Sequence, residues 1–498
     1  MVVLPKAPRS DEKFLYADPR RVTLYTMGLI SVIFLLTGMW LFIFAHPTFA
    51  VFAVYAAVMS IYLSISYLIG VLGRDFDFRR HEAQAARNYD TDFGSVDVYL
   101  PVCGEPLEVL NNTWGYVRDL RYKNRKVYVL DDAADPAVQF LAQQKFGFEY
   151  ISRPNRGELK KAGNLRHAFT QTSGDFFVVF DADFCPHPDF LNELLPYMKR
   201  DPRVAIVQSP QFFSVLEEQT WVEKGAGYIQ ELFYRLVQVS RDSFDASICV
   251  GSNAIYRREA LKPFGGTAAI AYSEDVHTGF MVTDAGWKVR YVPVCLARGM
   301  CPHDLKSFFL QQYRWATGSI TLFFNKEFWT SSLTIMQKIC YLSGMLFYIS
   351  SGLGVFMIFV PSLVMVWRFP ELVFWYNVIF SVPSFLYGFI VVPLWTTHKF
   401  GMYAPRTRQV AYYAYLFALI DKLKGDLVAW QPSGNVGKVK RFLHFRKLMF
   451  YWVCFAAAAI LVGAGRHLDR WQDFAPTTFF TCFNAWIHLT VLRDQGEA

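Results

Sequence analysis

The chain has 498 residues, a hydrophobic fraction of 53% and a formal net charge of +8. With 47 Phe, 27 Tyr and 13 Trp it carries more apolar surface than a soluble globular protein of this length requires. No basic stripe is interleaved with aromatic residues, so the positive charge does not point to nucleic acid.

Residues 1–21 form a polar arm rich in basic residues. Val22 to Ala45 and Pro47 to Gly73 are nearly free of charge, and each is long enough to cross ~30 Å of hydrocarbon. The first lies behind a polar arm, is too long for a signal peptide and is followed at once by a second, so 22–73 reads as two transmembrane helices. Arg74 to Asp92 is charged and helical in character, a stalk.

From 93 to 330 the pattern changes. Val96 to Pro101, Lys126 to Asp131, Phe148 to Ile151, Asp175 to Asp183, Val204 to Gln208 and Ile248 to Val250 read as strands. Helices Pro106 to Asp119, Pro136 to Lys145 and Lys161 to Thr170 alternate with them, which implies an α/β domain with a mostly parallel sheet. Two further spans follow within 341–395 and two more, shorter, within 448–493, which makes six. Between them, 396–447 contains an amphipathic stretch, Val410 to Leu423, expected at the membrane interface. From His398 to Lys447 ten Lys and Arg residues face only Asp421 and Asp426. The positive-inside rule then places the amino terminus, the central domain and this connection in the cytoplasm of a multi-pass membrane protein. The eight cysteines contain no C-x-x-C pair, so free thiols are expected rather than a zinc site.

The strand Asp175 to Asp183 ends in Asp181-Ala182-Asp183. Buried strands of a parallel sheet present ligands at their carboxyl edge. If the segment stays extended, both side chains share a face and offer hard oxygen donors to a divalent cation with a bound diphosphate. Asp131-Asp132 ends an earlier strand. Ser273-Glu274-Asp275 begins a helix with Ser273 as candidate cap, and Asp275, beside Glu274 at that helix start, suits a general base. Arg314 is a fixed fork suited to a diphosphate, Gln311 lies three residues earlier on the same helical face, and Trp315 offers a flat ring to a sugar.

This order resembles the D, DxD, (T/S)ED, QxxRW signature of processive family 2 glycosyltransferases of the cellulose-synthase-like group, over roughly residues 90 to 330. Val96 to Val109, Lys161-Ala162-Gly163-Asn164, Val207 to Phe213 and Gly251-Ser252-Asn253-Ala254 are similar to its cellulose-synthase branch. The resemblance implies a GT-A-type domain between transmembrane helices, with Mg2+ or Mn2+ as cofactor. It also implies UDP-glucose as donor and a growing β-glucan, cellulose-like or of mixed or curdlan linkage, exported through a channel in the spans. Alternatives are transfer of one sugar to a lipid acceptor, or a chitin- or hyaluronan-type polymer. By resemblance, Asp131, Asp132, Glu105, Lys161, Asp181, Gln311 and Arg314 bind the nucleotide sugar, Asp181 and Asp183 the metal, and Trp315 the acceptor; Asp275 with Glu274 is catalytic.

Two departures stand out. Cys103 occupies the place of a Tyr that packs on uracil in the family, and Asp131-Asp132-Ala133 replaces Asp-Asp-Gly. The gating loop of bacterial cellulose synthases is replaced by Trp430-Gln431-Pro432-Ser433-Gly434, with Trp430, Pro432, Ser433 and Gly434 expected to close over the donor. No carboxy-terminal cyclic-di-GMP module is expected, whereas an accessory export subunit is compatible with this architecture. Trp367, Trp375, Tyr376 and Tyr387 are candidates for lining the channel.

Overall fold

The computed structural model describes residues 4–16, 20–89, 91–213, 215–427 and 440–493. Its strands are β1 (Val96–Val102), β2 (Arg125–Asp131), β3 (Glu149–Ile151), β4 (Phe176–Val179), β5 (Cys185–Pro186), β6 (Val204–Gln208), β7 (Ala254–Arg257), β8 (Lys288–Tyr291) and β9 (Ala297–Arg298). Seven form one sheet in the order β3-β2-β1-β4-β7-β6-β8, while β5 and β9 pair separately. Within the large sheet β1 runs parallel to β2 and β4, β2 to β3 and β6 to β8, and β7 is antiparallel to both neighbours.

Because helices cover both faces, the central strands are apolar on both sides. Val98, Leu100 and Val178 face one core with Trp114, Phe190 and Leu194. Tyr99, Phe177 and Val179 face the other, where Phe177 stacks on Tyr256 at 4.8 Å between ring centroids.

Two expectations fail locally. Ile248 to Val250 is not a strand. Glutamine side chains replace the ladder there: Ile248 N donates to Gln238 Oε1 at 3.0 Å, Val250 N to Gln208 Oε1 at 3.0 Å, and Ile248 O accepts from both amide nitrogens. The neighbouring strand begins instead at Ala254. The strand expected over Asp175 to Asp183 is also shorter than its apolar run, ending at Val179.

Residues 4–16 of the polar arm lie across the α/β domain. Tyr16 is buried edge-on against Phe212, Lys13 pairs with Glu193, Glu12 meets Arg298 at 2.6 Å, and Pro5 O accepts from Asn112 at 2.8 Å. In the stalk, helix Phe78–Arg87 is capped by Asp77 and places His81 against Glu193 and Tyr197.

Five helical segments are long and apolar enough to cross a membrane: Arg21–Ala45, Pro47–Leu72, Ile335–Arg368, Trp375–Trp395 and Lys440–Gly465. The sixth expected span falls in helix Trp471–Arg493, which is long enough but is not among the five. The amphipathic stretch belongs to helix Tyr403–Lys424, which ends at Gly425 in the left-handed region (φ 74°). Its buried residues, Val410, Tyr413, Ala414 and Leu416 among them, pack into the same core as Phe309 and Tyr313. This helix is therefore enclosed by protein on more than one side.

Candidate active site

Beyond Val179 the chain leaves the sheet, and Phe184 N donates to Asp181 O at 3.1 Å to close a turn. Asp181 and Asp183 thus sit on a turn, not on one face of an extended strand, as the sequence pattern suggested. The turn is held by Phe180 N on Tyr99 O at 3.1 Å and by Asp181 N on Ser252 Oγ at 3.0 Å. Burial and the neighbouring Asp181 push the Asp183 carboxyl up to about 7. Glu105 is raised as well, by burial first and then by Asp181 and Asp131.

Lys161 donates to Asp181 and, at 3.0 Å, to Gly251 O, and its ammonium is 4.0 Å from Glu274. Burial alone would lower its pKa, but Asp181 and Glu274 outweigh burial and hold it above its ordinary value. The helix carrying it is placed by Asn164 Nδ2 on Leu130 O at 2.7 Å. Gly163 is required because a Cβ there would lie 2.2 Å from Arg153 Nη1 and Glu158 O.

Asp131 accepts from Ala133 N, Asp135 N and the Tyr150 hydroxyl, each at 2.8 Å. Asp132, which the resemblance puts on the nucleotide sugar, accepts with its two oxygens from Arg153 at 2.6 and 2.9 Å, and one also accepts from Gly157 N at 3.1 Å. Its carboxylate anchors the loop before Lys160.

Ser273 occupies the N-cap position of helix Glu274–Asp284 in the left-handed region (φ 45°), yet its side chain caps nothing. It donates to Arg314 O at 2.9 Å instead. Asp275, the next residue but one, is pushed up to about 7 by burial and by Glu274. Gly251 (φ +71°) lies against it, where a Cβ would stand 2.9 Å from the Asp275 Cβ.

Helix Leu305–Phe323 begins at the Asp304 cap and carries the Gln-x-x-Arg-Trp segment. Burial lowers the Arg314 pKa, while Asp181, Glu274 and Asp275 support its charge. The amide oxygen of Gln311 is buried with no hydrogen-bond partner among the described residues. Tyr415 donates to Gln312 Oε1 and Tyr313 to Asp421 Oδ2, both at 2.8 Å, which ties this helix to Tyr403–Lys424.

Asp275 and Trp315 line one end of a cavity of about 640 Å3 that continues between the membrane-spanning helices. Tyr25, Tyr62, Tyr67, Tyr348 and Tyr387 line it further along, with serines between them. Of the four aromatic residues singled out for a channel, Tyr387 alone takes part. Trp367, Trp375 and Tyr376 are 47%, 56% and 49% exposed on the outer surface. Trp430, Pro432, Ser433 and Gly434 lie outside the described residues. Sequence reasoning also missed the positioning work of Gly251 and Ser252, although it singled out the motif that contains them.

The profile of "Glycosyl transferase family group 2" matches residues 176–401. The chain carries a family 2 glycosyltransferase domain. It is 34% identical over 260 residues to cellulose synthase 1 of Komagataeibacter xylinus, covering 51% of this chain and 17% of that protein. It is 33% identical over 264 residues to the UDP-forming cellulose synthase catalytic subunit of Pseudomonas fluorescens, covering 52% and 35%. The matched stretch thus spans about a third or less of the length of these relatives. A mannosyltransferase from Pyrobaculum calidifontis, solved with GDP-Man and Mn2+, superposes with a TM-score of 0.50 at 15% identity, covering 75% of this chain and 99% of its own. That likeness establishes the GT-A-type fold.

In this α/β domain Asp181, Glu274 and Asp275 crowd around Lys161 and Arg314, with Asp183 and Glu105 beside Asp181 and Asp131 beside Glu105. Such an excess of carboxylate fits a divalent cation, with Asp181 and Asp183 as its donors. His187, Asp189 and Glu193 also have metal-like spacing. There, however, Lys13 and His81 already occupy Glu193, and Arg121 donates to Asp189 at 2.9 Å.

Proposed function

We propose that this protein is a membrane-embedded, cation-dependent, inverting glycosyltransferase that adds glucose from UDP-glucose to a β-glucan and passes the product through the cavity between its spans. The observation that carries this reading is that Asp275 and Trp315 border the same cavity, which runs on between the membrane helices. Chemistry and export then share one path, with the catalytic side cytoplasmic, where the positive-inside rule puts it and nucleotide sugars are made.

Asp181 and Asp183 would hold the cation, which when bound supplies charge neutralisation to the leaving diphosphate. Arg314 adds a fixed positive fork on the same side. Lys161 keeps Asp181 in place and balances Glu274. Asp275 takes the proton from the acceptor hydroxyl as that oxygen bonds to the anomeric carbon and the diphosphate departs from the opposite face. Its raised pKa suits a base that must bind a proton near neutrality and release it afterwards. Trp315 offers its ring to the terminal sugar, and the tyrosines beyond provide stacking faces and hydroxyls without fixing one register, as sliding requires.

The test is to purify the full chain in lipid nanodiscs, offer a panel of UDP-sugars with Mg2+ or Mn2+, and follow UDP release, product size and digestion by linkage-specific glycanases. Absence of UDP release with every donor would remove this reading.

A further inference from the structure

A second, smaller cavity of about 190 Å3 lies where the segment Trp375–Trp395 meets helices Tyr403–Lys424 and Trp471–Arg493. One side of it is apolar. Phe385 meets Phe480 at 5.5 Å between ring centroids and Phe389 meets Phe483 at 5.8 Å, so four rings from two helices make a single wall. The other side is polar and comes from Arg408, Gln409 and Asn484. Phe389 is 40% exposed and Trp486, on the helix that carries Phe483, is 45% exposed, so the rim of this cavity faces lipid.

Arg408 also lines the large cavity, where it donates to the Tyr228 hydroxyl at 3.2 Å, and it therefore stands in the partition between the two. Arg406, two residues earlier, lays its guanidinium over the Trp486 ring at 5.7 Å, and its Nε is buried with no hydrogen-bond partner among the described residues. Neither arginine has a carboxylate partner among the described residues, and no Asp or Glu lines the small cavity.

Two cations beside hydrocarbon are costly without a counter-charge. A neutral glucan in the large cavity brings none, and Tyr228 supplies only a dipole. The phenyl wall of the small cavity offers no hydrogen bond to a sugar hydroxyl but matches the methylenes of an acyl chain, while the planar fork of an arginine matches a pair of phosphate oxygens. One amphiphile meets both needs. The positive-inside rule puts the connection from Trp395 to Tyr403 on the cytoplasmic side, so both arginines stand near the headgroups of that leaflet, where basic pockets between spans take anionic lipids. We propose that the small cavity is a site for an anionic phospholipid of the cytoplasmic leaflet, with one acyl chain against the four phenyl rings and the phosphate on Arg408, Arg406 being the second contact. The lipid lies outside the path proposed for the glucan. Its phosphate holds the arginine that, through Tyr228, forms part of the wall of that path.

The test is native mass spectrometry of the purified full chain in a neutral detergent, titrated separately with dioleoyl phosphatidylglycerol and dioleoyl phosphatidylcholine. The first phosphatidylglycerol should bind at least about tenfold more tightly than the first phosphatidylcholine. Arg408→Gln should erase that preference and Arg406→Gln should reduce it. Lys424→Gln, the same loss of charge at the far end of the same helix, should leave it unchanged. Equal binding of the two lipids by the wild type overturns the proposal, as does an equal loss in Arg408→Gln and Lys424→Gln, which would mean diffuse attraction to a basic surface. If Arg408→Gln does not fold, Phe483→Trp decides: it fills the apolar half, keeps both arginines, and should weaken phosphatidylglycerol several-fold, so unchanged binding overturns the site. Displacement of the lipid by cellotetraose would put Arg408 in the acceptor path, and displacement by glycerol 3-phosphate would show that no acyl chain is held; either result overturns it too. UDP release in the same preparation keeps the two claims apart. Release without lipid selectivity sinks this inference alone, whereas selectivity without release sinks the enzymatic reading and leaves the lipid site standing.

Discussion

The Ser273 hydroxyl donates to the backbone carbonyl of Arg314 at 2.9 Å, so the segment bearing Asp275, the proposed general base, is bonded directly to the helix bearing Arg314, the arginine proposed to meet the diphosphate. The two helices approach closely because Gly318 lies one turn beyond Arg314, where a Cβ would stand 2.4 Å from the Ser273 Cβ. On its other side the base is backed by Gly251, whose carbonyl also accepts from Lys161. Base, arginine, lysine and Asp181 are thereby fixed relative to one another by backbone contacts that leave no room for added atoms.

Gly318→Ala should therefore separate the two helices and lower turnover by at least about tenfold, because small misplacements of reacting groups are costly. Expression and membrane insertion should stay normal. Gly251→Ala should do at least as much harm, since it also strains a left-handed backbone position. UDP release by purified variants checks both. Full activity of Gly318→Ala would show that the Ser273 contact does not position the base.

Asp275 makes activity and stability respond to pH in opposite ways. As base it must be ionised, so UDP release should rise through about pH 7 and level off above it. For stability, its folded-state pKa is raised above the ordinary value of about 3.9, so the folded protein holds the proton more tightly. Its contribution is most favourable below about pH 4 and is lost as pH rises to about 7. Above that the buried charge opposes folding. Asp275→Asn should thus be inactive yet melt a few degrees higher than wild type at pH 8, about the shift that a kcal/mol or two produces. The gap should close toward pH 4. A lower melting temperature at pH 8 would contradict this account.

Asp132 and Arg153 form a buried bidentate pair, and removing one partner strands the other. Asp132→Ala should cost about 3–5 kcal/mol. The Asp132→Ala, Arg153→Met double variant should recover part of that loss, with UDP affinity near wild type once the protein is folded. Thermal melts and UDP titration check this. A loss of UDP affinity in a fully folded double variant would place Asp132 at the donor site, as the resemblance implies.

The sheet was legible in the sequence because Val96 to Val102, Val127 to Leu130 and Phe176 to Val179 are largely apolar runs, and burial on both faces requires such runs. Ile248 to Val250 looked the same but is satisfied by Gln208 and Gln238 side chains, which no local pattern announces. The turn at Asp181 was hidden because Phe180 is apolar for packing against Phe190, not for continuing the strand. The docking of the polar arm was not legible because the partners of Glu12 and Lys13, Arg298 and Glu193, lie 286 and 180 residues away. The cavity was least legible, since Tyr25, Tyr67, Tyr348 and Tyr387 come from different helices and share no spacing. Only three-dimensional packing places them on one wall.

Trp315 stands where that wall meets the base, which makes product length its most sensitive readout. If its ring holds the terminal sugar, Trp315→Ala should shorten the product more than it slows UDP release, because each transfer then competes with loss of the chain. An aromatic stacking contact is worth about 0.5–1.5 kcal/mol beyond its area, so retention per step should fall several-fold. Tyr387→Ala, farther along the cavity, should leave the rate of the first transfers unchanged and shorten only long products. Gel filtration of radiolabelled product against UDP released gives both quantities from one reaction. Equal reductions in length and rate for Trp315→Ala would indicate a role in packing the catalytic helix, and unchanged long products in Tyr387→Ala would separate the cavity from the exit path.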